Sequence, residues 1–344
     1  MFEHLGPEAR AVLELGDEER IAYMQRQRWF DHDHAKLIMK RLESLLKHER
    51  NNRMPCVAIT AETNNGKTLL LERFEQDHPP MIVPVPGGHR TERPVLRVSL
   101  VEDTTNIHIY RQILTAAGVP YPRRPDSLEL LKQIQHTIEN ITKTRIIAID
   151  EGHNIRKYPP RQLENALGAL RSIATECKVT LVMAGLPEML FMLNSDRQLE
   201  NRFKIVYELP RWTEGLGFQQ LLKAFEQGLP LREPSNLFLP PLAPRLLELS
   251  GGLIGELHEI LARAGEEAIH NKKEYINVAL LEEMGFVSPM ARRVAKESQV
   301  GVAVNERIAE EAKAQLQDKE RRKKKTRRAQ SIPPSKSANE APKN

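Results

Sequence analysis

The sequence has only two cysteines, two tryptophans and 5% aromatic residues in 344 positions. It also has no apolar run of the length a membrane helix needs. Cys56 and Cys177 stand alone, one in an apolar stretch and one at a helix end, without the paired spacing of a zinc site. Reduced cytoplasmic thiols are the simplest account of them. The N-terminus is acidic and lacks the basic-then-apolar order of a signal peptide, which argues against secretion. No separated acidic triad can be placed on one sheet edge, so the chain is not expected to cut nucleic acid. Asp31, His32, Asp33 and His34 alternate within one short loop, which by itself rarely supplies a closed metal site.

The chain is 40% hydrophobic and 28% charged, enough to bury one large core and a smaller one. Net charge is +5, and residues 318–329 carry +6 of it, which leaves the rest near −1. Residues 318–344 lack apolar periodicity and are expected to be a disordered basic arm. Such an arm binds nucleic acid or an acidic surface through counterion release, or serves only as a solubilising tail.

Residues 55–74, PCVAITAETNNGKTLLLERF, run from an apolar strand through a polar turn into Gly66-Lys67-Thr68 and a leucine-rich helix. That is the layout of a phosphate-binding loop. A triphosphate needs backbone N–H groups aimed at one point, the positive end of a helix, a mobile cation and a hydroxyl for magnesium. Gly66 lets the backbone approach, Lys67 reaches the β and γ oxygens, and Thr68 ligates Mg2+. The expected cradle is Ala61, Glu62, Thr63, Asn64, Asn65, Gly66, Lys67, Thr68 and Leu69. The pattern G-x-x-x-x-G-K-[ST] asks for glycine where Ala61 stands, so the loop is expected to be tighter or differently pitched there.

Residues 145–151, RIIAIDE, are a short apolar run ending in two carboxylates. They read as a buried parallel strand with Asp150 and Glu151 at its C-terminal tip. Ligands of open parallel sheets sit beyond the carboxyl ends of strands, where the phosphate loop also opens. Asp150 is expected to hold the magnesium shell, and Glu151 to orient and deprotonate the attacking water.

Helices are expected at 18–24 and 34–48, the second with Leu37, Ile38, Leu42, Leu45 and Leu46 on one face. A Pro- and Gly-containing loop follows at 79–93, then a strand at 95–101 and helices at 106–117 and 127–142. Further strands at 179–184 and 205–209 alternate with helices at 162–176 and 188–194. This alternation predicts an α/β fold, a parallel sheet wrapped by helices. Four helices without a strand over 213–286 predict a small helical lid. The organisation reads as a helical segment packing on the core (1–50), an α/β core (51–212), the lid (213–290), a C-terminal helix (291–317) and the tail (318–344).

An α/β nucleotide domain followed by a helical lid is the AAA+ plan. The N-terminal YMQRQRW, the run ETNNGKT, the strand end IAIDEGHNI, LGALRSIATECKVTLVMAGLPEML and LNSDRQLENRFKIVYELPRW resemble the TniB/TnsC ATPases of bacterial transposons, over roughly residues 20–285. The resemblance implies a DNA-associated cytoplasmic regulator that binds ATP and Mg2+ and oligomerises as a ring or filament on double-stranded DNA. It also implies recruitment or activation of a transposase, with hydrolysis controlling disassembly, and in this family a target-selection protein or CRISPR-associated complex as a further partner. An arginine finger is implied before the last core strand, with Arg202 favoured over Arg197.

Two usual AAA+ features are missing from the expected places. The strand at 179–184 ends in Ala-Gly-Leu-Pro without a polar sensor, although Thr180 lies within it. The segment at 250–256 has no arginine, the next being Arg263. Both absences suggest slow or partner-dependent hydrolysis. The candidate DNA contacts are His89, Arg90 and Arg93, then Arg123 and Arg124, and also Arg156 and Lys157. Two other readings stay open: an AAA+ loader or initiator acting on replication proteins, and a non-hydrolysing nucleotide switch.

Overall fold

The computed structural model describes residues 2–101, 105–157 and 159–295, the side chains of Arg156 and Lys157 excepted. The basic tail, most of the expected C-terminal helix and any role for the Arg156 and Lys157 side chains lie outside those residues. Seven strands are described: β1 (Val57–Thr60), β2 (Met81–Val85), β3 (Gly88–Glu92), β4 (Val95–Ser99), β5 (Ile146–Asp150), β6 (Thr180–Gly185) and β7 (Ile205–Glu208). Five of them form one parallel sheet in the order β4-β5-β6-β1-β7.

Unbroken apolar runs explain the middle of that sheet. Every residue of β1, β5 and β6 is buried, as covered parallel strands require, whereas the edge strand β7 alternates between half-buried and exposed. Successive side chains serve opposite faces. Ala58, Ile147 and Ile149 join a core with the helices Asn106–Ala117, Ser127–His136 and Pro160–Glu176. Val57, Ile59, Ile146 and Ala148 join another with Asp33–Leu46 and Lys67–Asp77. The register sets Thr60 beside Gly185 and Glu208, and Ser99 beside Asp150, so the functional loops all leave one edge.

C-terminal to the sheet, helices Leu216–Gly228, Leu242–Ser250, Ile254–His270 and Val278–Glu283 bury a separate core. Of the chain beyond Phe286, where the first compact unit ends, residues 287–295 are described. No helix among the described residues is long and apolar enough to cross a membrane. Burial pushes the Cys56 thiol up to about 11 and that of Cys177 up to about 12, so both stay protonated at neutral pH.

Three expectations change. The segment read as a loop at 79–93 contains the antiparallel hairpin β2–β3, closed by Pro86 and Gly87, with Gly87 at φ 88. Proline followed by a positive-φ glycine suits a tight turn, and the prolines at 84 and 86 hide the alternation that betrays a strand. The N-terminal segment expected to pack as a whole on the core divides in two. Helix Asp33–Leu46 packs on the sheet, but Asp17–Met24 packs on the C-terminal helices, and Gly6 N donates to Gln227 O at 2.8 Å. Leu37 is also 56% exposed, because the buried stripe runs through Ala35, Ile38, Leu42 and Leu45.

Arg20 fastens the divided segment. It is fully buried, donates from Nε and Nη2 to Pro230 O at 3.1 and 2.7 Å, and pairs with Asp17 and Glu274. Breaking a buried pair strands the remaining charge, at a cost of about 3–5 kcal/mol. Arg20→Ala is therefore expected to lower stability by about 3 kcal/mol, read as a drop in urea midpoint, and an unchanged midpoint would show that the pair does not hold this segment.

Candidate nucleotide site

Strand β1 delivers the loop of residues 61–66 to the N-terminus of helix Lys67–Asp77, whose N-cap is Gly66 at φ 83. Asn64 shares the left-handed conformation at φ 63. Glycine and asparagine are the residue types that adopt it most readily. Ala61 is not among the positive-φ residues, so its methyl group meets no backbone penalty, and its N–H bonds Gly185 O at 3.2 Å. The glycine asked for by the motif is dispensable here for that reason.

The loop encloses the lysine. Lys67 is 6% exposed, and its Nζ donates to Ala61 O at 2.9 Å and Glu62 O at 2.7 Å. Burial pulls its ammonium below the ordinary value, while Glu151, Asp150 and Glu62 pull it back up. Thr68 Oγ1 donates to Asp150 Oδ2 at 2.7 Å, and Asp150 Oδ1 accepts the Glu151 N–H at 2.8 Å. The two motifs, distant in sequence, thus meet across one cleft of about 450 Å³ lined by residues 63–69, Glu151, His153, Leu186, Ile254 and Gly255.

A hydroxyl and a carboxylate at hydrogen-bond distance are the hard-oxygen pair that suits Mg2+, which keeps water and substrate phosphates as its other ligands. No group of three or more His, Cys, Asp or Glu side chains suited to a metal is found among the described residues, so a closed all-protein cage is not formed. His32, from the alternating Asp/His loop, instead caps helix Asp33–Leu46 through the Ala35 N–H and packs edge-on against Trp212 with centroids 5.2 Å apart.

Contacts that the sequence did not announce tie the loop to the C-terminal helices. Arg211, two residues past Leu209, grips Glu62 with Nε and Nη2, both at 2.5 Å, and donates from Nη1 to Gly251 O at 3.0 Å. Asn64 O accepts the Gly255 N–H at 3.0 Å, and Asn65 Nδ2 donates to Leu209 O and Pro210 O at 2.8 and 3.1 Å. No periodicity marks Arg211 or Gly255, because a hinge contact leaves no pattern in sequence.

The remaining candidates scatter. Arg202 lies at the opposite, N-terminal edge of the sheet, where its carbonyl accepts the Cys56 N–H at 3.0 Å. Its Nη2 donates to Asn52 O at 3.0 Å and Thr175 Oγ1 at 2.9 Å, which commits it to its own chain, whereas Arg197 is exposed at the start of helix Arg197–Glu200. Arg263 lies over the Phe286 ring at 4.9 Å and does not reach the cleft. Thr180 opens β6 at the far edge. His89, Arg90 and Arg93 line one groove with Gly118 and Thr142, and Arg90 is paired with Glu92. Arg123 and Arg124 are exposed on a different connector, where Arg123 O accepts from Arg111 at 3.0 Å.

A family model described as "Bacterial TniB protein" matches residues 20–214. No curated protein matches the chain significantly. Among solved structures, the chain is similar to the Cdc6p of Pyrobaculum aerophilum, with a TM-score of 0.55, 16% identity, and 74% of this chain and 67% of that one covered. It is similar to the Aeropyrum pernix ORC2 protein in ADPNP–ADP complexes, with a TM-score of 0.53, 15% identity, and 76% and 69% covered. The Aeropyrum pernix ORC1 protein in complex with DNA gives a TM-score of 0.50, 16% identity, and 76% and 68% covered. At these identities the likeness is one of fold, and that fold is AAA+, a parallel sheet flanked by helices with a helical C-terminal region.

The contact between loop and helices can be tested at one residue. A Cβ on Gly255 would overlap the Asn64 side chain and stand 2.8 Å from its carbonyl oxygen. Gly255→Ala is expected to displace helix Ile254–His270 from the loop and weaken ATP binding about tenfold, or about 1.4 kcal/mol, while Gly168→Ala, in mid-helix, leaves it unchanged. Equal calorimetric affinities for both variants would refute the coupling.

Proposed function

The chain belongs to the TniB family, and from that premise we propose that it is a magnesium-dependent ATPase that assembles on duplex DNA and regulates DNA transposition. The observation that carries the enzymatic part is the 2.7 Å contact between Thr68 and Asp150, beside a buried Lys67 and with Glu151 in the same cleft. The family supports a transposition role, including recruitment or activation of a transposase and communication with a target-selection protein or CRISPR-associated complex. A structural neighbour solved in complex with DNA supports DNA as a partner. The C-terminal helices would act as the lid of the α/β core.

In the proposed reaction the loop N–H groups and the end of helix Lys67–Asp77 bind the phosphates. Lys67 releases the Ala61 and Glu62 carbonyls and turns to the β and γ oxygens. Thr68 and Asp150 would hold Mg2+, which neutralises phosphate charge when bound. Glu151 orients a water whose oxygen bonds to the γ-phosphorus as the bond to the β,γ-bridging oxygen breaks. ADP leaves with the electron pair, and the water proton passes to the Glu151 carboxylate. With Arg202 held by its own chain, the exposed Arg197 is the better arginine to reach the cleft of a neighbouring copy in a ring or filament. His89, Arg90 and Arg93 are the preferred phosphate-backbone contacts, with Arg123 and Arg124 as a separate patch.

Two sets of variants test this reading. Lys67→Ala is expected to weaken ATP binding about 10²-fold, the worth of lost charge-assisted hydrogen bonds. Glu151→Gln keeps binding and lowers turnover at least about 10²-fold. Turnover that survives Glu151→Gln would remove Glu151 from the reaction, and a wild type that binds ATP but releases no phosphate would leave only a nucleotide switch.

Arg197→Ala is expected to lower phosphate release of the DNA-bound assembly by about 10³-fold without changing ATP affinity. Should Arg202→Ala have that effect and Arg197→Ala none, the assignment would pass back to Arg202.

A further inference from the structure

The tip of β6 carries no polar side chain. The strand ends at Gly185 and continues into Leu186. The turn after β5 occupies that space. A Cβ on Gly185 would stand 3.0 Å from both the His153 amide nitrogen and Met189 Sδ, and one on Gly152 would meet Met183 Cγ at 2.6 Å and Ala184 O at 3.2 Å. The two bare positions let the 3-10 turn Gly152–Lys157 lie directly on the strand tip. That packing brings His153 into the cleft wall with Glu151, Leu186, Lys67 and Thr68.

The imidazole is largely buried, its Nε2 is 3.3 Å from Glu151 Oε2, and its Nδ1 is buried without a hydrogen-bond partner. Glu151 stands at φ 55, a conformation that a residue with a side chain keeps only where its surroundings hold it. A contact of 3.3 Å is long for an N–H···O bond, and contacts of this kind tighten when the substrate is in place.

From this geometry we infer that His153 is the positioning residue for Glu151. Its Nε2–H donates to Oε2, fixes the carboxylate against the strained backbone, and leaves Oε1 to take the proton of the attacking water. His153 thereby supplies, from the turn after β5, the polar group that β6 lacks. The assignment rests on the ATPase reading proposed above.

The test uses the full chain with duplex DNA, measuring phosphate release and, in parallel, the affinity for a fluorescent ATP analogue. His153→Ala is expected to lower kcat about 10- to 100-fold, the effect of a misplaced reacting group, with KM and analogue affinity unchanged. His153→Gln, which restores an N–H donor, is expected to recover most of the loss. In a Glu151→Gln background His153→Ala is expected to cost nothing further, because its partner's function is already gone. A wild-type chain that turns over ATP and is unaffected or accelerated by His153→Ala would overturn this assignment alone, as would effects additive with Glu151→Gln or confined to KM. If the wild type binds the analogue but releases no phosphate, the ATPase reading falls and this assignment with it.

Discussion

A single ammonium held away from water organises the cleft. Lys67 is almost fully buried and donates to two carbonyls of its own loop. Those carbonyls and three nearby carboxylates stabilise the cation only in part, since burial still dominates its pKa. An incoming polyphosphate completes the set of charges. The same balance requires Asp150 and Glu151 to stand at the same sheet edge as the loop. In the strand order, β6 separates β1 from β5. Thr68 and Asp150 meet across the tip of that strand.

The loop is also bonded to the C-terminal helices. Three positions that the phosphate motif leaves unspecified, Glu62, Asn64 and Asn65, all bond to Arg211, Gly255 or the carbonyls that follow β7. Arg211 in turn holds Gly251, at the bend between two C-terminal helices. A change in loop backbone would therefore act directly on the start of helix Ile254–His270. The close approach of Gly255 leaves no slack, since a single methyl would not fit. Such rigid, short contacts pass a small displacement on to a whole element instead of absorbing it.

What the sequence made legible follows from physics that is local. Buried parallel strands leave apolar runs, and β1, β5 and β6 stood out as such. The phosphate loop and the acidic strand tip were readable because their chemistry needs specific residue types in order. The hairpin β2–β3 was not, since its prolines interrupt alternation and its two strands bury little. The division of the N-terminal segment was equally hidden. An amphipathic helix announces that it packs, not on what, and two partners of Arg20, Pro230 and Glu274, are over 200 residues away. Arg202 was preferred over Arg197 from motif position, which says nothing of whether a guanidinium is already engaged.

That engagement bears on assembly. The arginine lining the cleft, Arg28, stacks over Tyr23 at 3.9 Å and donates to Tyr23 O at 2.8 Å and to Gly228 O. Burial pulls its pKa down, and the nearby Tyr23 and Glu8 do not fully offset this. Turning it toward a phosphate would break the bond that clasps residues 23–30 to the C-terminal helices. Arg211 is likewise held by Glu62. Each arginine at the site has a structural task in the fold, so charge that develops on the γ-phosphate in the proposed reaction falls to Lys67, to the metal, and to a guanidinium from outside the subunit. In the proposed reaction, dependence of hydrolysis on a neighbouring copy would follow from how this fold has already committed its cations.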